Sequence, residues 1–420
     1  MTRIIVDIKF QFLVQQISGV SISVSVSDSV RKERIPLKGP AVLREINEKR
    51  ILNFLRTTKT SSRQEMTEAL QLSKNTVSLI IEKFIRDGVV QEVGIDSNGV
   101  GRPRTQLSLV PDAYQAIGIL VRDTHCEFTV TDYNGSIIES NQLLVNTREP
   151  AKLLVEIDRL YRDLKSLYGN ILGVGIAVPG LVDPLRGLVH YSSHLGWRNV
   201  AVAEILGKTI DVPIQVLNLV KAAALSPVRV VPDDAQSTFY IRIDEGVGGA
   251  FVLGNDVVHG FSYTAGEIGH LVVTSEGPIC TCGQRGCLEA LISLPRVLSV
   301  LREKGLQASL MDDFSTVIQD LLNNRQTSSD IQEVMTGIGK YLGVAMAMTT
   351  NLFNPEYIVV DSPYNNFAAF EQAAISTMRE RALIYPSDRT KVVFVRMLSA
   401  ALGMALAVIH QFESTIGSSV

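Results

Sequence analysis

The chain has 420 residues, of which 46% are hydrophobic and 20% are charged, and this composition excludes a mainly disordered protein. Its apolar runs stay below the ~18 residues of a transmembrane helix, and four cysteines are too few for a secreted disulfide scaffold. The net charge of −3 is unevenly divided: residues 31–105 carry 15 Lys and Arg against 9 Asp and Glu, and residues 106–420 carry 23 against 32.

This division separates a basic part with a balance of +6 from an acidic part with a balance of −9. The asymmetry suggests a nucleic-acid partner for the first part, with chance scatter of surface charge as the alternative. We therefore divide the chain into an unassigned extension and linker over residues 1–40, a basic domain over 41–110 and an acidic domain over 111–420.

The extension carries no recognisable function. The alternating run 20–26 is a strand pattern without an obvious partner strand. Charges at Arg3, Asp7 and Lys9 interrupt any secretory signal, so we expect a cytoplasmic protein without membrane insertion.

The basic domain begins with two predicted helices. The first spans residues 42–56, and Ser62 with Glu65 predicts a capping box at the start of the second, which runs to about Leu70. The expected apolar stripe of the first helix consists of Ile46, Ile51, Leu52 and Leu55.

A third helix follows after a short turn. Ser73 is its predicted N-cap, the helix runs through Asp87, and Gly88 is placed to terminate it. Two short helices joined by a tight turn are typical of a helix-turn-helix. The predicted buried side of the third helix consists of Val77, Ile81 and Phe84.

The other side of the third helix carries the side chains that we expect to contact DNA, namely Lys74, Asn75, Thr76, Ser78 and Leu79. Asn pairs bidentately with adenine, Lys reaches guanine or phosphate, and an exposed Leu contacts a thymine methyl group. For Leu79 the alternative is a contact at the edge of the core.

A hairpin is predicted after the third helix, from the alternating runs 89–93 and 105–109 around an Asn-Gly loop. Arg102 and Arg104 lie at the far end of that loop, from which they would enter a minor groove; a solvated charged loop is the alternative. Together the three helices and the hairpin predict a winged helix-turn-helix that binds a double-stranded DNA operator.

The acidic domain alternates strands with helices, which predicts an α/β architecture with two similar halves. An Asn-Gly pair at 134–135 predicts a hairpin turn. The predicted strands are 116–121, 127–132, 136–140, 171–178, 212–217, 237–243, 250–253 and 357–361, and the predicted helices are 150–168, 218–226 and 331–352.

One short stretch is more specific than the rest. Cys280, Cys282 and Cys287 fall within eight residues, and His270 lies ten residues before the first of them. One His and three Cys form a closed tetrahedral set for structural zinc, one ion per chain, and two glycines beside the cysteines let the backbone turn tightly. Buried or redox-active thiols are the alternative. Cys126, in a predicted strand, is expected to be a core residue.

This stretch resembles the signature of the ROK family (repressor, open reading frame, kinase). Residues 266–270 and 280–289 carry the resemblance, with 178–180, 196–197 and 246–249 as further matches. It covers about 42–415 and implies an actin-like, two-lobed sugar-kinase fold, a zinc site beside the sugar pocket, and a homodimer or homotetramer. A winged helix before such a domain resembles the N-acetylglucosamine, glucose-responsive and xylose repressors of the family.

Four positions depart from the family's sugar kinases. The phosphate loop Asp-x-Gly-Gly-Thr is replaced by residues 120–124 without glycines, and the general-base Asp after Asn218 is Leu219. The Gly-Thr-Gly turn is replaced by Asp244-Glu245-Gly246, and the late Gly-Gly by Asp361-Ser362. Leucine accepts no proton, and two carboxylates would repel the phosphates of ATP. The departures indicate a domain without kinase activity.

The sugar-binding residues that the resemblance implies are His194, Asn218, Glu267, His270 and Glu289. His194 stands where the family has Asn, so a sugar of altered preference, a phosphorylated or acetylated sugar, or no ligand at all is consistent with the set. For Glu267 and Glu289 the alternative role is support of the zinc loop.

These features predict a sequence-specific transcriptional regulator, a repressor of carbohydrate-metabolism genes, whose ROK domain senses a sugar or sugar derivative. The alternatives are an ATP-dependent sugar kinase with an added DNA-binding domain, and a regulator without a ligand.

Overall fold

The computed structural model describes residues 40–96, 104–226, 231–232, 235–304, 329–365, 367–396 and 398–416. The predicted strand at 20–26, the Asn-Gly loop of the hairpin and Arg102 therefore lie outside the described residues. From Arg44 onward the chain belongs to one structural unit. The helices in the described ranges include none with the length and hydropathy of a transmembrane span.

Three helices open the described chain: α1 (Pro40–Thr58), α2 (Arg63–Leu70) and α3 (Lys74–Arg86). The capping box before α2 is confirmed, because the Ser62 hydroxyl accepts from the backbone N–H of Glu65 at 3.3 Å and the Glu65 carboxylate accepts from that of Ser62 at 2.8 Å. These bonds lower the pKa of Glu65. Ser73 caps α3, and Gly88 follows it with a φ of +74°, which glycine adopts without strain.

A small antiparallel sheet completes this part, with β1 (Ser61–Ser62), β2 (Val90–Asp96) and β3 (Arg104–Leu109) in the order β1-β3-β2. The β2–β3 pairing confirms the predicted hairpin. Val77, Ile81 and Phe84 are fully buried, as predicted.

The predicted apolar stripe of α1 is wrong at one position. Ile51, Leu52 and Leu55 are buried, but Ile46 is 41% exposed and Glu48 is buried instead. The buried face therefore starts at Glu48, three residues before Ile51, in helical phase. A glutamate fits there because its carboxylate accepts from the Lys83 ammonium at 2.9 Å, and a periodicity based on apolar residues cannot detect it.

The rest of the chain contains two five-stranded sheets and a small three-stranded one, whose strands are inserted in sequence between two strands of the first large sheet. The first large sheet and the small sheet contain the strands β4 (Gln115–Val121), β5 (Cys126–Asp132), β6 (Ile137–Leu143), β7 (Ile171–Val178), β8 (Leu181–Asp183), β9 (Leu188–Ser192), β10 (Trp197–Ala201) and β11 (Ile214–Asn218). The second large sheet contains the strands β12 (Ser237–Ile243), β13 (Val247–Leu253), β14 (Asp256–Val257), β15 (Tyr357–Asp361) and β16 (Lys391–Val395).

The two large sheets have the same topology. One is ordered β11-β7-β4-β5-β6 and the other β14-β13-β12-β15-β16. In each, the first strand pairs antiparallel with the second and parallel with the fourth. The prediction of two similar halves is confirmed. We call the half that contains the sheet of β4–β7 and β11 the first lobe, and the half that contains the sheet of β12–β16 the second lobe. Cys126 is fully buried in β5, as predicted, and burial raises the pKa of its thiol to about 12.

The helices of the two lobes are α4 (Pro150–Tyr168), α5 (Val202–Leu206), α6 (Leu219–Ala224), α7 (Leu288–Ile292), α8 (Leu294–Glu303), α9 (Ser329–Phe353), α10 (Ala368–Arg381), α11 (Ile384–Arg389) and α12 (Ala400–Ile416). The last of them, α12, returns to the first lobe and packs on β4, β7 and α6. Two glycines permit this approach. A Cβ on Gly118 would lie 1.8 Å from the Ala401 carbonyl oxygen, and one on Gly403 would lie 1.9 Å from that of Ala222.

The same helix joins the core of the N-terminal helices. Leu406, Val408 and Ile409 of α12 belong to one buried apolar cluster with Leu52 and Phe84. Helix α12 therefore contacts both the first lobe and the three-helix part.

Candidate functional site

The predicted zinc ligands come together. The ligand atoms of His270, Cys280, Cys282 and Cys287 all lie within 4.8 Å of one another. The Sγ atoms of Cys282 and Cys287 are 3.7 Å apart, and the Sγ of Cys280 is 3.7 Å from Nδ1 of His270. The cluster could therefore hold a metal ion.

Its spacing fits zinc. Tetrahedral zinc with Zn–S bonds of about 2.3 Å places two sulfur atoms about 3.8 Å apart, close to the separation of Cys282 and Cys287. Burial and the neighbouring thiols raise the pKa of Cys287 to about 12. A bound metal ion would displace the proton of the Cys287 thiol, and the resulting thiolate would be the metal ligand.

The backbone around the cluster depends on one glycine. Gly286 has a φ of +75°, and a Cβ there would lie 1.9 Å from the carbonyl oxygen of Thr274. The backbone around Gly286 pairs with residues 271–273. The N–H of Leu288 donates to the carbonyl oxygen of Leu271 at 2.9 Å, and the N–H of Val273 donates to that of Gly286 at 3.0 Å. This pairing brings His270 to the three cysteines.

The two predicted effector carboxylates have different environments. Glu267 is exposed, directly before the short 3-10 helix Ile268–His270. Glu289 is half-buried in α7; one of its oxygens accepts from the backbone N–H of Val247 at 3.0 Å, and the other lies 4.0 Å from the Sγ of Cys280. These contacts are consistent with the alternative role of Glu289, support of the loop formed by residues 266–289, which we call the metal loop.

Two further predicted effector residues, Asn218 and His194, also have different environments. The side-chain oxygen of Asn218 accepts from the backbone N–H groups of Val220 and Lys221, and its amide donates to the Gly180 carbonyl at 2.8 Å. Asn218 is therefore the N-cap of α6. His194 is exposed.

A buried ion network lies at two of the four positions that depart from sugar kinases. The guanidinium of Arg242 is 3.4 Å from Asp361 and 3.2 Å from Asp244, and Asp361 also accepts from the Tyr240 hydroxyl at 2.6 Å. Arg242 thus pairs with Asp244, one of the two carboxylates that were expected to repel the phosphates of ATP. Glu245 remains exposed.

The other two positions contain ordinary structural contacts. Leu219 packs against the apolar cluster that contains Leu217 and Ala222. In the turn between β4 and β5, Arg122 donates to Glu127 at 2.8 Å and its backbone N–H donates to His125.

Five of the predicted DNA-contacting residues lie in the N-terminal half of α3, and none of them is buried. Lys74, Asn75 and Leu79 are exposed, and Leu79 has an exposed fraction of 59%. Thr76 and Ser78 are half-buried, and Arg104 is exposed at the start of β3. The exposure of Leu79 argues against an edge-of-core contact.

A buried lysine and a buried ion pair were not predicted from the sequence. Lys221 is 4% exposed and lies one turn into α6. The side chains of Arg56 in α1 and Glu413 in α12 form an ion pair and are 9% and 3% exposed. The only available signal is a charged residue inside an apolar run, as in Leu-Val-Lys-Ala-Ala-Ala at 219–224.

The doubled sheet order and the Cys3His cluster define a two-lobed α/β protein of the sugar-kinase type that carries an additional N-terminal part. The chain belongs to the ROK family, whose model matches residues 116–410.

Relatives extend the similarity beyond that domain. The xylose repressor of Bacillus spizizenii is 28% identical over 385 residues, covering 88% of this chain and 96% of its own. The DNA-binding transcriptional dual regulator NagC of Escherichia coli is 27% identical over 308 residues, covering 71% of this chain and 76% of its own.

Solved structures show the same fold. A ROK family transcriptional regulator, a homologue of the E. coli MLC protein, superposes with a TM-score of 0.74 at 21% identity, over 90% of this chain and 98% of its own. A ROK family glucokinase from Streptomyces griseus superposes with a TM-score of 0.57 at 19% identity, over 70% of this chain and 98% of its own.

Proposed function

We propose that the protein is a sugar-responsive transcriptional repressor. Residues 41–110 are its winged helix-turn-helix, and residues 111–420 are its effector-sensing and oligomerisation domain. The observation that carries the proposal is the exposed face of α3, on a part of the chain that relatives named as repressors share. An alignment over 88% of the chain cannot fit within residues 116–420, which are less than three quarters of it.

The DNA interface is assigned to the N-terminal half of α3 and the hairpin. Lys74, Asn75 and Leu79 point away from the core, which leaves them free to reach base edges and phosphates in a major groove. Thr76 and Ser78 lie beside them, and Arg102 and Arg104 are assigned to the neighbouring minor groove.

The ROK domain is proposed to be catalytically inactive. Leu219 supports this because no carboxylate stands at that position to take a proton from a sugar hydroxyl. Arg242 supports it as well, because its charge is already engaged by Asp244 and Asp361 and is not free for a nucleotide phosphate. A coupled assay with a hexose panel would reveal the alternative, an ATP-dependent sugar kinase, by the release of ADP above background.

The effector site is assigned to five residues, of which Glu267, His270 and Glu289 belong to the metal loop. His194, Asn218, Glu267, His270 and Glu289 would hold sugar hydroxyls, because buried hydroxyls must be hydrogen-bonded. His270, Cys280, Cys282 and Cys287 would hold one structural zinc ion per chain.

Helix α12 would couple effector binding to DNA binding, because it contacts both regions. It packs on α6, which begins at the proposed sugar ligand Asn218, and it carries Glu413, the partner of Arg56 in α1. In a homodimer or homotetramer, a small movement of α12 would change the distance between two recognition helices and spoil their match to two half-sites.

Replacing Asn75 with alanine is expected to weaken binding to the operator by about 1–3 kcal/mol, while binding to unrelated DNA changes little. The reason is that a base contact carries sequence information whereas a phosphate contact does not. Fluorescence anisotropy with both DNAs measures the difference. Asn141→Ala, at an exposed position of β6, is the control, and an equal loss on both DNAs would show that Asn75 contacts the DNA backbone.

A thermal-shift screen of sugars and sugar 6-phosphates separates a sensor from a regulator without a ligand. A compound that binds only the folded state raises the unfolding midpoint. No shift with any compound would favour control by a protein partner or by the abundance of the regulator.

A further inference from the structure

Lys221 is a buried cation that connects the two lobes. Its residue is 4% exposed, and it belongs to α6 of the first lobe. Its Nζ donates to the carbonyl oxygen of Tyr263 at 2.6 Å and lies 3.5 Å from that of His259. Both carbonyls belong to the loop that follows β14 of the second lobe, residues 259–265.

The contacts of Lys221 are unusual for a buried ammonium. Among the described residues it forms no ion pair, and its hydrogen bonds go to backbone carbonyls alone. Burial lowers its pKa, and the carboxylate of Glu267 opposes that shift. Burying an ammonium costs free energy unless it is paired or hydrogen-bonded, and the described partners of Lys221 that offset this cost are the two carbonyls of the loop.

The loop has a constrained backbone at the point that Lys221 contacts. Tyr263 has a φ of +62°, a conformation that residues other than glycine adopt rarely. The N–H of Tyr263 donates to Gly260 at 3.3 Å, and that of Ala265 donates to His259 at 3.0 Å. Phe261, at the tip of the loop, is fully exposed.

The loop ends where the proposed effector residues begin. Gly266 packs so closely on β13 that an added Cβ would lie 2.3 Å from the Gly249 carbonyl oxygen, and Glu267 follows directly. On the other side, the side-chain oxygen of Asn218 accepts from the backbone N–H of Lys221 at 3.3 Å. Lys221 therefore stands between one proposed sugar ligand in each lobe.

We propose that Lys221 is a positioning residue of the effector site: its ammonium holds the 259–265 loop of the second lobe against α6 of the first and thereby sets where Glu267 lies relative to Asn218. The part that concerns sugar affinity rests on the proposed effector-sensing function. The part that concerns the loop stands on the contacts alone.

The test uses the full-length protein with Lys221→Met, which keeps an unbranched side chain one atom shorter than lysine and removes its donors. Amide hydrogen exchange of residues 259–267 is expected to rise at least about tenfold, the change that one lost hydrogen bond to a charged group produces. Isothermal titration with D-xylose, D-glucose and N-acetyl-D-glucosamine is expected to show a similar loss of affinity for whichever sugar the unmodified protein binds.

Lys221→Arg is expected to restore most of both, because a guanidinium can donate to the same two carbonyls. Lys208→Met, at an exposed lysine of the same lobe, is the matched control and should change neither. Lys221→Gln serves as a second variant if the methionine protein does not fold.

Unchanged exchange in the loop would overturn the inference. Raised exchange with unchanged sugar affinity would also overturn it, because Lys221 would then be a structural residue only. If the unmodified protein binds none of the sugars, the proposed sensing of these sugars fails separately. The exchange experiment with its arginine rescue then decides whether Lys221 holds the loop.

Discussion

Replacing Glu413 with leucine is expected to lower the free energy of unfolding by about 3–5 kcal/mol, the usual cost of breaking a buried ion pair by removing one partner. The guanidinium of Arg56 would stay buried without its carboxylate. Its bonds to the side chain of Asn53 at 3.1 Å and to the carbonyl of Tyr133 at 3.4 Å remain and offset part of the loss. Urea unfolding of the full-length protein measures the change.

A second replacement separates the buried charge from the packing of α12. The double variant Arg56→Met/Glu413→Leu is expected to recover most of the lost stability, because well-packed apolar side chains can replace a buried pair. Glu204→Leu, which breaks the exposed pair with Lys208, is the control and should cost less than about 1 kcal/mol. A Glu413→Leu protein as stable as the unmodified one would contradict a structural role for the Arg56–Glu413 pair.

Replacing Cys282 with serine is expected to reduce bound zinc from one ion per chain to none and to loosen residues 266–289. A serine hydroxyl does not replace a thiolate as a zinc ligand at neutral pH, and the binding free energy of a structural metal contributes directly to folding. Elemental analysis after gel filtration measures the metal, and limited proteolysis of the 266–289 segment measures the loosening.

The control for this variant is Cys126→Ala. Cys126 is a fully buried core cysteine in β5, so its replacement should cost some stability and leave the zinc content unchanged. If Cys282→Ser retained its metal, the assignment of Cys282 as a ligand would be wrong.

Local signals in the sequence predicted most of the helices, strands and caps. The capping box at Ser62, the N-cap at Ser73 and the strand at 171–178 are governed by neighbours a few residues away, so spacing and residue type suffice. The Cys3His cluster was predictable for the same reason, since its three cysteines are close in sequence and the histidine is ten residues away.

The two buried long-range ion pairs, Arg56–Glu413 and Arg242–Asp361, could not be predicted, because the partners of each pair are far apart in the chain. Arg56 and Glu413 are separated by 357 positions, and Arg242 and Asp361 by 119. No periodicity connects such residues. The error at Ile46 has a related origin: the buried carboxylate of Glu48 pairs with Lys83, 35 residues later, as well as with Arg44 in the same helix.

We propose that a sugar controls sequence-specific DNA binding by this ROK protein and that its ROK domain phosphorylates no sugar. This proposal is tested most directly by selecting bound fragments from the source organism's genomic DNA with the purified full-length protein at about 150 mM salt, where weak non-specific binding is suppressed. The selected fragment is then titrated with the sugar panel. We expect a small set of enriched sites and the release of that DNA by at least one sugar, without formation of ADP when ATP is present. No enriched site, or ADP formation with a hexose, would contradict it.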